Sequence, residues 1–495
     1  MPELIVIESI CLARDIQSWA YGKNIKIKIL HHNRAKIKTL FNQLSNFVKI
    51  GNFMNNMLLR LCASYITGMM NQGRKINTIQ PVIVDTYVHN NSFSENGSFK
   101  DRYFPYLHEF LSKKGLCVLV HPVLSGFGYN YFSIYLKMRK CKTHFILREN
   151  FLRFSDYISV MVFPFKTLKQ KIKAEQFLGF DLDNILKEEL KVKLTTSGME
   201  AMLIYHLFLR LGQSGLQPGL IINWYENQAI DKGLIAGVRK AFPHSEIIGA
   251  QMFIHSPNFI SLFPSQSEAD AGLVPNILLE TSQYQCQVAR AFTRTIPCYP
   301  AAALRYSHVF KEKIDDFKQE PDKILILLSF NIAEGVELLE TLNEVLEQIR
   351  GDVPLLIKPH PDYKNEELIQ AFGEYKWPKR FVIYKGNLPD ALEHASMVVG
   401  SNSGSMVEAA AKGIPVIFLA RQTALNQNIL ANLNLDIITE CFSPAELVEA
   451  IEKYLDLDQN EKTRYMEMGR KVRSIFFTPV NEETLLPFLG IKKDR

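Results

Sequence analysis

From Lys323 onward the apolar and polar positions alternate between two rhythms. Ile324–Ser329 is a short continuous apolar run, the pattern of a strand buried on both faces. Val336–Arg350 follows, with Leu338, Leu339, Leu342, Val345, Leu346 and Ile349 at helical spacing. The pairing then repeats. Strands are expected at Pro354–Ile357, Phe381–Tyr384, Met397–Val399 and Pro415–Leu419. Helices are expected at Glu366–Phe372, Pro389–His394, Ser405–Lys412 and Pro444–Leu455. Short apolar runs alternating with amphipathic helices imply right-handed crossovers and a parallel sheet covered on both faces.

The same grammar recurs less regularly upstream. Val82–Asp85, Cys117–His121, Leu220–Asn223, Glu246–Gly249 and Asn276–Leu279 read as strands. Arg102–Lys114, Gly198–Leu211, Ala229–Phe242 and Ser282–Phe292 read as helices. The predicted class is therefore α/β, with two Rossmann-like doubly wound domains. The first occupies residues 81–304, with a basic insertion at about 137–193; residues 305–322 form a charged linker; the second occupies residues 323–460. Residues 1–80 carry one Met- and Leu-rich helical stretch, Phe53–Met70, and residues 461–495 a polar helix and a basic tail.

A length of 495 residues exceeds what one hydrophobic core organises, which agrees with two domains. Seven dispersed cysteines, no two within four residues, form no metal knuckle or redox pair and read as reduced core thiols of a cytoplasmic protein. Met1–Ile7 lacks the basic flank and apolar length of a signal peptide, and no run reaches the ~20 apolar residues of a spanning helix. Charge is uneven: residues 1–200 hold 28 Lys and Arg against 15 Asp and Glu, the remainder 29 against 36. A basic first half is either an ordinary solvated surface or one that faces an anionic inner membrane. The basic runs carry no nucleic-acid-binding motif, and no nucleic-acid partner is expected.

Two loops carry the chemistry. Gly400-Ser-Asn-Ser-Gly-Ser405 follows a predicted strand and opens an Ala-rich helix, a setting in which backbone N–H groups and the helix dipole attract anions. Gly404 permits close approach of a phosphate, Ser403 and Ser405 offer hydroxyls, and Glu408 lies one turn on, placed for ribose hydroxyls. Lys358-Pro-His-Pro361 follows another strand, and ligands of open α/β sheets bind outside such carboxyl ends. Its prolines stiffen the loop, so that Lys358 and His360 are fixed as donors to a phosphate. The loop after the first of these strands, with Asn331 and Gly335, opens on the same edge. Neither GxGxxG nor the P-loop pattern occurs, which removes the usual dinucleotide and NTPase signatures. In the first half Glu226, in Asn223-Trp-Tyr-Glu-Asn-Gln228, and Asp101, in Asp101-Arg-Tyr-Phe-Pro105, are candidate general bases. Asp85, His121 and His255 rank behind them.

Lys358-Pro-His-Pro361 followed by Ser401-Asn-Ser-Gly-Ser405 resembles the donor-site pair of bacterial GT-B transferases that use CMP-activated sugars of the sialyl and Kdo type. Asp101-Arg-Tyr-Phe-Pro105, Trp224-Tyr-Glu-Asn-Gln228, Gly237–Pro243 and Ile248-Gly-Ala-Gln251 are similar to a family of surface carbohydrate biosynthesis proteins. The resemblance implies a GT-B fold with the donor cleft between the domains. The nucleotide-sugar is held by the second domain, and a surface glycan or lipid-linked acceptor by the first. It also implies no cofactor and no metal, with cationic and dipolar groups in the ion's place. Glu95-Asn-Gly97 is the nearest match to the acidic base motif of the sialyltransferases, and Met252 stands where a His is expected. The leading expectation is sugar transfer to a surface polysaccharide. A glycerol- or ribitol-phosphate transferase, a sugar-nucleotide 2-epimerase and a non-catalytic assembly subunit remain alternatives.

Overall fold

The computed structural model describes residues 10–27, 33–69, 80–94, 96–124, 130–169, 176, 179–193, 196–311, 323–351, 353–422 and 426–490. The N-terminal residues read for a signal sequence, Glu95 and linker residues 312–322 lie outside this set.

Two wholly parallel sheets organise the chain. The first has seven strands: β1 (Val82–Val88), β2 (Val118–Leu124), β3 (His144–Phe145), β4 (Leu220–Trp224), β5 (Glu246–Gln251), β6 (Ile277–Glu280) and β7 (Cys298–Pro300). Their spatial order is β3-β2-β1-β4-β5-β6-β7, so the order reverses between β1 and β4. The second has six: β8 (Ile324–Leu327), β9 (Leu355–Lys358), β10 (Phe381–Ile383), β11 (Met397–Gly400), β12 (Val416–Leu419) and β13 (Ile438–Cys441). Here the order is β10-β9-β8-β11-β12-β13, and the reversal falls between β8 and β11. Both sheets are doubly wound, the two Rossmann-like domains that the hydrophobic pattern predicts. The strand interiors are almost wholly buried, with helices over both faces, as expected when every crossover returns parallel.

Local chemistry moves several boundaries. The helix expected to start at Val336 starts at Ile332, because the Asn331 side chain accepts from Ala333 N (3.0 Å) and caps it. The helix expected over Arg102–Lys114 begins only at Leu107. Tyr106 before it sits at φ 69°, and residues 101–104 are held in a turn around Asp101. The segment read as a basic insertion contains β3 and so belongs partly to the sheet. Phe53–Met70 is the end of a longer helix, Asn33–Ile66, which packs through Met57 against Val160 and Leu203. Helices Ser197–Gln213 and Ala229–Ala241 lie unusually close. A Cβ at Gly237 would stand 2.9 Å from Tyr205 O, so only glycine fits there.

The chain ends by crossing back. Helix Gln459–Phe476 packs on the second domain and reaches the first, where Phe476 meets Tyr284 at 5.1 Å between centroids. Thr478 N then donates to Thr281 O, Ala303 N to Thr478 O, and Ala302 N to Thr484 O. Leu485 and Phe488 finish in the core of the first domain beside Phe104. No helix of the described residues is long and apolar enough to cross a membrane.

Candidate active site

The second sheet brings the two loops together. β9 and β11 flank β8, all three run parallel, and the Lys358–Pro361 and Ser401–Ser405 loops therefore leave one edge on either side of the β8 loop. Tyr363 OH donates to Ser329 O (3.2 Å), which ties the β9 loop to the β8 loop. Lys358 is half-buried, and burial pulls its ammonium below the ordinary lysine range. His360 is also partly buried. Desolvation chiefly, and the Lys358 and Arg305 charges further, pull it below the usual histidine value against the opposing pull of Asp362. Its Nδ1 accepts from Asp362 N (3.3 Å), which puts the proton of the neutral ring on Nε2 as a donor.

The serine turn is built differently from the expectation. The helix it opens is only seven residues long, Ser405–Ala411, so its dipole is short. Several amides around it are already used: Ser405 N donates to Ser403 Oγ (3.3 Å), Met406 N to Ser403 O (3.2 Å) and Val407 N to Gly404 O (3.0 Å). What the turn offers a ligand is chiefly the side chains of Ser403 and Ser405. Gly404 lies close to the first domain instead, where a Cβ would stand a tight 3.3 Å from Ile254 O. Glu408, expected on a ribose, is instead buried. Its Oε2 lies 2.8 Å from His308 Nε2, poorly aligned for a hydrogen bond, and this contact fastens the helix to the interdomain segment.

The first sheet carries the other candidates at its own carboxyl edge. Glu226 follows β4, at the reversal between β1 and β4 where ligands of doubly wound sheets collect. Its carboxylate accepts from Trp224 Nε1 (2.7 Å) and from Gln228 Nε2 (2.6 Å). Burial raises its pKa above the ordinary glutamate value, while those two hydrogen bonds and the Arg305 charge moderate the rise. A partly buried carboxylate raised in this way holds a proton more readily than an ordinary glutamate, as a general base must.

Beneath Glu226 lies a buried polar floor. Asp231 accepts from Glu226 N (3.1 Å) and Gln228 N (2.8 Å), which fixes the loop that carries Glu226. Asn223 Nδ2 bridges Asp85 Oδ2 (2.7 Å) and Asp231 Oδ1 (3.2 Å), and Asp85 pairs with His121 Nδ1. Burial pushes Asp231 up to about 7. Asp101 is no open base. Its Oδ1 accepts from Thr86 Oγ1, Tyr103 N and Phe104 N, and its Oδ2 lies 2.9 Å from His108 Nε2. Every oxygen is engaged in holding the turn. His255, paired with Glu280 at 3.4 Å, is buried.

Arg305 stands between the two edges and was not singled out by the sequence. Its guanidinium carbon lies 5.2 Å from the Tyr103 ring centroid and 5.5 Å from that of Trp224. Its charge acts on both Glu226 and His360, so it lies within electrostatic reach of both candidates. Further contacts close the cleft between the domains: Tyr306 OH accepts from Ile254 N (3.1 Å), and Asn258 Nδ2 donates to Asn426 O (3.5 Å). Among the described residues no group of three His, Cys, Asp or Glu is placed to hold a metal.

No family model matches the sequence, and no curated protein sequence matches it. Similar solved structures exist. A UDP-N-acetylglucosamine 2-epimerase matches over 83% of this chain and 94% of its own, at 11% identity and a TM-score of 0.47. MurG of Acinetobacter baumannii matches over 83% of this chain and 100% of its own, at 12% identity and 0.42. The glycosyltransferase SnogD of Streptomyces nogalater matches over 83% and 100%, at 13% and 0.46.

Proposed function

We propose that this protein is a GT-B glycosyltransferase that moves a sugar from a nucleotide donor to a surface polysaccharide or lipid-linked glycan. The observation that carries the reading is the cleft itself. A raised, half-exposed carboxylate, Glu226, stands on one sheet edge, and the donors Lys358, His360, Ser403 and Ser405 stand on the other. Glu226 takes the proton of the acceptor hydroxyl as that oxygen attacks the anomeric carbon. The bond from that carbon to the donor phosphate breaks, and Lys358 and the Nε2–H of His360 stabilise the charge left on the phosphate. An ammonium and an imidazole N–H do here what a divalent ion does elsewhere, so the reading requires no metal. The His-Pro and Ser-rich pair favours a CMP-activated sugar.

Calorimetric titration with CMP, UDP and GDP tests the donor half of this reading. Micromolar binding of one nucleotide, weakened in His360→Ala, is expected; no binding of any of them sinks it. Product analysis then separates a glycosidic bond from the phosphodiester of a glycerol- or ribitol-phosphate transferase.

The acceptor side of the same reading is a peripheral membrane one. Helix Phe154–Leu168 buries Val160 and exposes Phe154, Ile158, Val162 and Phe165 at successive turns, with Arg153, Lys166 and Lys169 at its ends. An apolar stripe with basic ends fits the surface of an anionic bilayer, where a lipid-linked acceptor resides.

A further inference from the structure

Arg305 is the cleft group that the proposed transfer leaves without a task. Its neighbours Ala301–Leu304 and Tyr306 are buried, whereas its own side chain is exposed. Tyr103 and Trp224, which meet edge-on at 4.7 Å, form an aromatic corner under its guanidinium. Trp224 also donates to Glu226, so the cation and the candidate base share one indole. Stacking over rings occupies the face of a guanidinium and leaves its edge N–H groups for an oxyanion. Among the described residues no carboxylate lies within ion-pair distance of Arg305.

The opposite wall has a matching need. Ser403 N and Ser405 N of the Ser401–Ser405 turn are spent within the chain and the helix behind it is short, so an anion there also draws on charged side chains. Lys358 supplies a charge and His360 an N–H donor, both from the second domain. Cationic groups gathered from two sides of a cleft repel one another until an anion lies between them.

We propose that Arg305 is the third side chain of a phosphate site. It contacts the sugar-linked phosphate of the nucleotide donor from the interdomain side, opposite Lys358 and His360. The ligand class is a nucleoside mono- or diphosphate ester, and the inference rests on the nucleotide-binding reading above. Binding then adds a charge-assisted pair with phosphate to the cation–π contact on Trp224.

The test is a titration of the full chain and of Arg305→Ala and Arg305→Lys with whichever of CMP, CDP, UDP and GDP the wild type binds, and with the matching nucleoside. The inference expects nucleotide affinity to fall roughly 10- to 100-fold in Arg305→Ala, the range for loss of a charge-assisted bond. Arg305→Lys should recover part of the loss, and nucleoside affinity should not change. Nucleotide should also shift the Trp emission of the wild type, and not that of Trp224→Phe. Equal nucleotide affinity in the wild type and Arg305→Ala overturns the inference alone. So does a loss shared by nucleoside and nucleotide, which marks a merely structural residue, and so does a rise in acceptor KM with donor affinity unchanged. Failure of the wild type to bind any nucleotide overturns the reading underneath as well.

Discussion

The carboxyl edges of the two sheets are made of similar residues put to opposite uses. On the first, Asp85, Asp101, Asp231, His121 and His108 are joined to one another or to backbone, and only Glu226 keeps a half-exposed carboxylate. On the second, Lys358 and His360 stand with few partners, and the neighbouring turn has spent part of its amides. The difference separates a saturated network, which fixes geometry, from an unsaturated group, which is left to meet a ligand. Residue type alone does not distinguish the two; the count of lone pairs already engaged does.

That contrast breaks first at Glu226. Glu226→Gln should lower kcat roughly a thousand-fold, within the span of general-base catalysis, with the melting temperature nearly unchanged. Steady-state kinetics beside thermal denaturation decide it, and a variant of near wild-type turnover refutes the assignment. His360→Ala comes next, with an expected loss in kcat of roughly a hundred-fold, the scale of one oxyanion donor. Asp101 should behave in the reverse way. Asp101→Ala strands a buried hydroxyl and two backbone amides, so urea unfolding should show a loss of about 3 kcal/mol, while enzyme that remains folded keeps its turnover. If Asp101→Ala is stable and inactive, the division between the two carboxylates is wrong.

Smaller effects sharpen the same division. Glu226 must be ionised to act, and burial raises its pKa, so kcat/KM should climb with pH through a midpoint above the ordinary glutamate value. Removing the moderating Arg305 charge should move that midpoint higher still; a pH–rate profile of Arg305→Ala shows whether it does. The smallest expected change is at the surface. Phe154→Ser with Phe165→Ser should weaken sedimentation with anionic vesicles several-fold and leave activity on a soluble acceptor analogue intact.

Much of the fold was legible because it is written in short apolar runs. All the strands expected between Ile324 and Leu419 occur within two residues of their predicted ends. The missed strands lack that signature. His144–Phe145 is two residues long, Cys298–Pro300 is broken by proline, and Ile438–Cys441 is a half-exposed edge with Thr439 and Glu440 inside it. Lys358, His360 and Glu226 stand at or just past the end of a strand, which is what the sequence rhythm locates. Glu408 misled because its spacing from the turn suggested a ribose, and nothing local announced His308 about a hundred positions earlier. Arg305 gave no signal for a related reason. It opens a segment that reads as a charged connector, and its meaning lies in Tyr103 and Trp224, far away along the chain.

The return of residues 477–489 to the first domain fixes the order in which this protein is completed on the ribosome. Thr281, Ala302 and Ala303 await backbone partners synthesised about 180 to 200 residues later, and the Phe104 pocket stays open until Phe488 emerges. The half made first is finished last. A gene split at the domain junction would therefore yield an N-terminal fragment with a gap in its own core, and the two fragments would need to be produced together to regain either one.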